Sequence, residues 1–133
     1  MENIVGVAKI SRQTWKAWSV SKETASPIVW LTIPDLVERM NLSPSRIRRL
    51  IDDHSLAAKR VDGILCVPEA FLEGDEARPE LRGTIIVLND QGFKGDEVVD
   101  WLTTFEESLK VSPIDALIAG RKAEVRRIAQ ALA

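Results

Sequence analysis

The sequence predicts a mainly α-helical fold with a small β component, and three patterns along the chain support this fold class. Two short apolar patterns of helical period occupy residues 33–52, separated by about three residues. Two β-prone runs then flank an Asp-Gly pair, which is typical of a β-hairpin. Further helix patterns continue to the end of the chain, with one predicted strand among them.

Length and composition restrict the class of protein. The chain has 133 residues, 45% hydrophobic and 29% charged, which is ordinary for one globular domain. No apolar run approaches the roughly 20 residues of a membrane helix, and the N-terminus lacks a signal-peptide pattern, so we expect a cytoplasmic protein. One cysteine, Cys66, and one histidine, His54, exclude an internal disulfide and the usual zinc ligand sets.

The first predicted helix begins after Thr32. Thr32 is the expected N-cap, Asp35 stands three residues later as its acidic partner, and Pro34 lies in the first turn, where a missing N–H is tolerated. Apolar residues then follow at helical spacing: Ile33, Leu36, Val37 and Met40. Residues 41–43 interrupt the pattern, which predicts a short turn.

The second predicted helix has an apolar face and an arginine-rich face. Ser43 is its expected N-cap and Pro44 its first residue. The apolar spacing of Ile47, Leu50 and Ile51 predicts packing against the first helix. The face opposite these residues carries Ser45 and Arg49, with Arg46 and Arg48 on its flanks. An arginine there can donate two hydrogen bonds to guanine, and flanking arginines suit phosphates. The alternative is an ordinary solvated helix face.

A β-hairpin is predicted directly after this helix. Asp62-Gly63 separates two β-prone runs, and Lys59 and Arg60 lie near the turn. A hairpin in this position is a wing, so the two helices and the hairpin together form a winged helix-turn-helix. The candidate DNA contacts are Ser43, Ser45, Arg46, Arg48, Arg49, Lys59 and Arg60.

Charge is divided unevenly along the chain, although the net charge is only −2. Residues 43–61 carry five basic and two acidic side chains, whereas residues 62–109 carry three basic and twelve acidic ones. Such asymmetry steers a polyanion to one face of a protein. Solvated surface charge without a partner is the alternative.

The second half of the chain is predicted as a small helical segment. Residues 73–83 are interpreted as a connector and Thr84 to Leu88 as a strand, because that run is apolar and β-branched. Asp96 is the expected cap of the next helix, which contains Trp101 as a core residue. Ser112 repeats the cap chemistry of Thr32, and apolar spacing continues through residues 121–132. The expected division is a tail at 1–28, a winged domain at 29–73 and a helical domain at 84–133.

These segments resemble known proteins. Residues 31–36, the 42–51 helix and the 56–68 hairpin resemble the winged helix-turn-helix of the excisionase and MerR-like superfamily. Residues 81–90, the helix with Trp101, and residues 113–117 and 124–127 resemble a narrower family: actinobacterial winged helix-turn-helix DNA-binding proteins that are substrates of a transmembrane Ser/Thr protein kinase. The resemblance implies double-stranded DNA and a protein kinase as partners.

The resemblance also implies that phosphorylation of the N-terminal tail opposes DNA binding. Thr14 and Thr24 are candidate phosphorylation sites by position alone. We interpret residues 1–28 as a mobile tail. The alternative is that Trp15 and Trp18, three residues apart, dock onto the domain or a partner.

No enzyme is predicted. His54 is expected to be a surface or capping histidine, Cys66 lies in an apolar strand, and the scattered glycines form no cofactor-binding motif. The sequence predicts a DNA-binding transcriptional regulator, as a monomer or weak homodimer associated with the nucleoid. The alternative functions are an antitoxin-like module whose C-terminal helices bind a partner protein, and a small-molecule sensor.

Overall fold

A computed structural model describes residues 28–132 of the chain. The fold is mainly helical with small sheets, as the sequence predicts. The helices are α1 (Ile33–Met40), α2 (Pro44–Asp52), α3 (Pro79–Asp90), α4 (Gly95–Thr103), α5 (Pro113–Ile118) and α6 (Lys122–Gln130). The strands are β1 (Trp30–Thr32), β2 (Lys59–Val61), β3 (Ile64–Pro68), β4 (Leu72–Glu73) and β5 (Glu76–Ala77). None of the helices in the described part of the chain is long and apolar enough to cross a membrane.

The helix-turn-helix forms through the predicted caps. Thr32 accepts a hydrogen bond from the Asp35 N–H, and the Asp35 carboxylate accepts one from the Thr32 N–H. Asn41 ends α1 in the left-handed conformation, with φ of 59°. The Ser43 hydroxyl then accepts a hydrogen bond from the Arg46 N–H and starts α2. Both helix boundaries are therefore fixed by side chains next to the turn.

The wing forms at the predicted Asp-Gly turn. Val61 pairs with Ile64 in antiparallel register, so that a two-residue turn joins β2 to β3. Asp62 and Gly63 both have positive φ, 53° and 81°, as a type I′ turn requires. Sequence reasoning missed β1, which pairs with the other edge of β3 to give the order β1-β3-β2.

The prediction of a strand from Thr84 to Leu88 was wrong, because these residues lie inside α3. Pro79 occupies the first turn of that helix, and residues 81, 84, 85 and 88 are all buried along one helical stripe. Burial of this stripe overrides the modest helix cost of β-branched side chains. The connector interpretation of residues 73–83 was also wrong: they contribute to the β4–β5 hairpin and the start of α3.

The predicted residues at both ends of α5 are confirmed. The Ser112 hydroxyl accepts a hydrogen bond from the Asp115 N–H, and Gly120 follows the helix with φ of 87°. The prediction that Asp96 caps α4 was wrong. Lys94 is the N-cap, and its N–H donates to the Glu97 carboxylate at 3.0 Å.

One hydrophobic cluster extends through both halves of the described chain. Leu36 and Ile47 of the helix-turn-helix are completely buried, as are Leu88 of α3 and Val125 of α6. Phe71, from the turn of 3₁₀-helix that follows the wing, is also completely buried. Trp101 packs against this cluster as a partly buried side chain. The helix-turn-helix is thus held on a core that the C-terminal helices help to build.

Candidate nucleic-acid interface

Helix α2 presents a polar surface because its apolar side faces the core. Ile47 is completely buried, whereas Ser45, Arg46, Arg48 and Arg49 are exposed. The helix is nine residues long and begins at Pro44, so these side chains occupy its N-terminal and central turns. An exposed, arginine-rich helix directly after a tight turn has the shape that the major groove of DNA admits.

The three arginines of α2 make no ion pair and no side-chain hydrogen bond with residues 28–132. In contrast, Arg39 is paired with Glu69, and Arg121 with Glu124. The positive end of the helix dipole adds to the charge near the N-terminus of α2. Within the described part of the chain, this surface is therefore electropositive, and its guanidinium groups are available to an external anion.

The two wing cations differ in their surroundings. The Lys59 ammonium lies 2.5 Å from the Asp100 carboxylate of α4, with 30% of the lysine side chain exposed. Arg60 is exposed, and within residues 28–132 its guanidinium makes one weak hydrogen bond, to the Gly63 carbonyl at 3.5 Å. Arg60 is thus the freer of the two side chains that the sequence singled out.

The end of α2 is contacted by α3. The Arg82 guanidinium donates a hydrogen bond from Nε to the Asp53 carbonyl at 3.0 Å. One residue later, His54 has φ of 71° and its Nδ1 lies 3.1 Å from the Asn89 amide nitrogen. Hydrogen bonds from Ser55 lower the pKa of Asp53, and the charge of Arg82 acts in the same direction.

The remaining chemistry-bearing residues fall outside this surface. Cys66 is buried in β3, and burial raises the pKa of its thiol, so it has the character of an inert core thiol. Within the described residues, no group of three or more histidine, cysteine, aspartate or glutamate side chains has the geometry to hold a metal ion. Thr14 and Thr24 lie outside the described residues.

Sequence reasoning missed the contacts that four residues make with the end of α2 and with the wing: Arg82, Asn89, Asp96 and Asp100. Their partners lie 29 to 41 residues away along the chain, beyond the range of any local pattern. One signal was present: Arg82 and Asn89 are seven residues apart, which places them on one face of α3 once residues 79–90 are recognised as a helix.

Comparisons with known proteins agree with this architecture. Residues 21–72 match the family model described as the DNA-binding protein Rv2175c, wHTH domain. Residues 79–133 match the Rv2175c C-terminal domain of unknown function. The DNA-binding protein Rv2175c of Mycobacterium tuberculosis (strain ATCC 25618 / H37Rv) is 28% identical to this chain, over 76% of this chain and 78% of that protein. The NMR structure of Rv2175c superposes with a TM-score of 0.73 at 26% identity, covering 83% of this chain and 84% of that one.

Proposed function

The chain belongs to the Rv2175c family of winged helix-turn-helix proteins, and we propose that it is a sequence-reading DNA-binding protein that acts as a transcriptional regulator. The observation that carries this proposal is the arginine surface of α2, whose guanidinium groups have no carboxylate partner among residues 28–132. Three arginines project from a nine-residue helix whose apolar side is fixed in the core. Cations that have no internal carboxylate partner are suited to an external polyanion.

Each element of the interface has a separate role in this proposal. Arg49, at the centre of the exposed face, contacts base edges in the major groove. Arg46 and Arg48, with Ser43 and Ser45, contact phosphates on either side of the groove. The wing contacts the DNA backbone through Arg60, and through Lys59 when that side chain exchanges Asp100 for a phosphate.

We propose that residues 29–73 form a winged domain that contacts DNA, and that the helical domain, predicted at 84–133, begins with α3 at Pro79. An antitoxin-like function of the C-terminal helices is less well supported, because most of their apolar side chains are already buried and Ile118 of α5, at 44% exposed, is the large exposed one among their described residues. Leu117 of α5, and Val125 and Ala129 of α6, are at most 2% exposed in the described chain. They are therefore not available as the apolar face that a partner helix would cover.

We also propose regulation by phosphorylation of the tail at Thr14 or Thr24. A phosphate adds about −1.5 to −2 charges near neutral pH. Near the DNA, such a charge repels the phosphate backbone, and the effect should shrink as salt rises. Comparison of phosphorylated and unmodified full-length protein at low salt tests this. Equal affinities would contradict a direct effect of the tail.

Selection from random duplexes tests the proposed function. The full-length protein is equilibrated with a pool of random double-stranded DNA, and bound duplexes are sequenced over successive rounds. We expect enrichment of one short site, which a monomer or a weak homodimer at the nucleoid would occupy. Mass measurement in solution, with and without the enriched duplex, gives the number of chains on the site. A pool that shows no enriched sequence would refute sequence reading.

A further inference from the structure

The C-terminal half of the chain contacts both elements that face DNA in the proposed function. Helix α3 contacts the end of α2 through Arg82 and Asn89. Helix α4 contacts the wing through Asp96 and Asp100. Since α3 and α4 follow each other along the chain, one pair of consecutive helices contacts both the recognition helix and the wing.

The contact of α3 satisfies the C-terminal end of the recognition helix. The Asp53 carbonyl follows the last turn of α2, where intrahelical donors are lacking. Arg82 supplies both a donor, at 3.0 Å, and a positive charge at the negative end of the helix dipole. Seven residues later on α3, the side chain of Asn89 meets His54, and Ile85 between them is 2% exposed. The end of α2 is therefore held at two polar positions, one on each side of the buried Ile85 along α3.

The contact of α4 closes the free edge of the wing. Strand β2 pairs with β3 on one side only, so its other side presents unpaired backbone groups. The Asp96 carboxylate accepts a hydrogen bond from the Arg60 N–H on that edge, at 3.3 Å. Four residues later on α4, Asp100 holds Lys59.

The segment between α2 and the wing is covered by the same two helices. Leu56, Ala57 and Ala58 are buried. They share a small cleft with Ile85 of α3 and Val98 of α4. At the start of α4, a Cβ on Gly95 would lie 3.6 Å from the Ala58 carbonyl oxygen, at ordinary van der Waals distance, so α4 begins directly against this segment.

We propose that the C-terminal half is a brace that fixes the recognition helix and the wing in one relative orientation, so that both engage the same duplex. This inference rests on the proposed function. Holding two contact elements in their bound geometry removes the ordering cost that binding would otherwise impose. Asn89 and Asp96 are positioning residues in this brace, because they act through His54 and the wing backbone.

A matched pair of variants at Asp96 separates the brace from simple charge effects. Both Asp96→Asn and Asp96→Ala remove a negative charge beside the wing, so electrostatics alone predicts the same gain in DNA affinity for both. The asparagine still accepts the hydrogen bond from the Arg60 N–H, whereas the alanine does not. We expect Asp96→Ala to bind the selected duplex about threefold to tenfold more weakly than Asp96→Asn, as the loss of one hydrogen bond implies.

A third variant, Asn89→Ala, tests the grip on the recognition helix without changing any charge. We expect it to reduce the preference for the selected duplex over random DNA, with the salt dependence of binding unchanged. Arg127→Ala, at an exposed position on α6, is the control: it lies in the C-terminal half but away from the Asn89 and Asp96 contacts. Amide hydrogen exchange in the absence of DNA should accelerate at Arg60 in Asp96→Ala and near His54 in Asn89→Ala.

The outcomes distinguish the brace from the proposed function. Suppose that the wild type prefers one duplex, that Asp96→Ala and Asp96→Asn bind it with the same affinity, and that Asn89→Ala keeps the wild-type preference. The brace is then refuted, and the proposed reading of DNA sequence stands. If the wild type shows no preference for any duplex, the proposed function is refuted, and with it the role of the brace in DNA reading. If Asp96→Ala fails to fold, Asn89→Ala alone tests the brace: a preference equal to that of the wild type refutes the brace, and a reduced preference supports it.

Discussion

Substitution of the two wing cations distinguishes a phosphate contact from an internal ion pair. The Arg60 guanidinium is exposed and makes only a 3.5 Å hydrogen bond within residues 28–132. The Lys59 ammonium is 2.5 Å from the Asp100 carboxylate. Because Asp100 already compensates the charge of Lys59, we expect Arg60→Ala to weaken DNA binding more than Lys59→Ala.

The size of the difference follows from counterion release. Each phosphate contact contributes about 0.9 to the slope of log affinity against log salt concentration. Between about 50 and about 200 mM salt, one contact therefore changes the affinity by about 3.5-fold. We expect Arg60→Ala to lose this part of the salt dependence on every duplex alike, and Lys59→Ala to lose less of it. Asp100→Asn should make the fall of affinity with salt steeper, since it releases Lys59 to bind a phosphate.

Fluorescence anisotropy with an end-labelled duplex measures these slopes on the full-length variants over that range of salt. The selected duplex and a random duplex are titrated in parallel, so that a phosphate contact appears as an equal loss on both. Equal reductions of the slope by Lys59→Ala and Arg60→Ala would contradict the role given to Asp100. An unchanged slope in Arg60→Ala would remove the wing from the interface.

Three further predictions concern stability. Phe71→Ala removes a completely buried ring and should lower the free energy of unfolding by about 3 to 5 kcal/mol in urea denaturation; a loss under about 1 kcal/mol would contradict its place in the core. Gly83→Ala would place a Cβ against the guanidinium of Arg126, whose flexible end must move aside at a small cost. Its helix-propensity gain of about 0.5–1 kcal/mol should therefore be somewhat smaller in the wild-type background than when combined with Arg126→Ala; a larger gain in the wild-type background would contradict this contact. The lowered pKa of Asp53 gives stabilisation that is present above about pH 4 and is lost as the pH falls through the lowered value. Asp53→Ala should therefore flatten the dependence of the thermal midpoint on acid pH. An unchanged dependence would contradict the effect of Ser55 on this carboxylate.

The winged helix-turn-helix could be predicted because local chemistry determines its boundaries. Thr32 and Ser43 each accept a hydrogen bond from an N–H three residues later, and these bonds require no distant partner. Asp62-Gly63 likewise determines the wing, because both residues tolerate positive φ. The exposed face of α2 then follows from helical spacing once Ile47 is assigned to the core.

The region around α3 could not be predicted from residue preferences. The β-branched run after Thr84 favours a strand locally, but burial of Leu81, Ile85 and Leu88 on one face favours a helix. Recognition of Pro79 as a first-turn residue would have resolved the choice. Strand β1 was missed because it has only three residues and depends on its partner β3 for pairing.

The contacts that position the site depend on tertiary structure. Nothing near Asp96 in the sequence indicates that its carboxylate accepts from the Arg60 N–H, 36 residues away. The pairing of Lys59 with Asp100 is equally remote, although the acidic character of residues 62–109 was visible. Sequence reasoning therefore found the exposed side chains of α2 and the wing. The structure was needed to find the residues of α3 and α4 that contact these two elements.

The change in DNA preference caused by Arg49→Ala tests the central claim most directly. Affinities for the selected duplex and for random duplexes are measured for the wild type, for Arg49→Ala and for Arg127→Ala, which removes the same charge from an exposed position on α6. We expect Arg49→Ala to cost about 1 to 3 kcal/mol on the selected duplex and to relax the preference, while Arg127→Ala retains the preference. If Arg49→Ala keeps both the affinity and the preference of the wild type, α2 does not read DNA through this face.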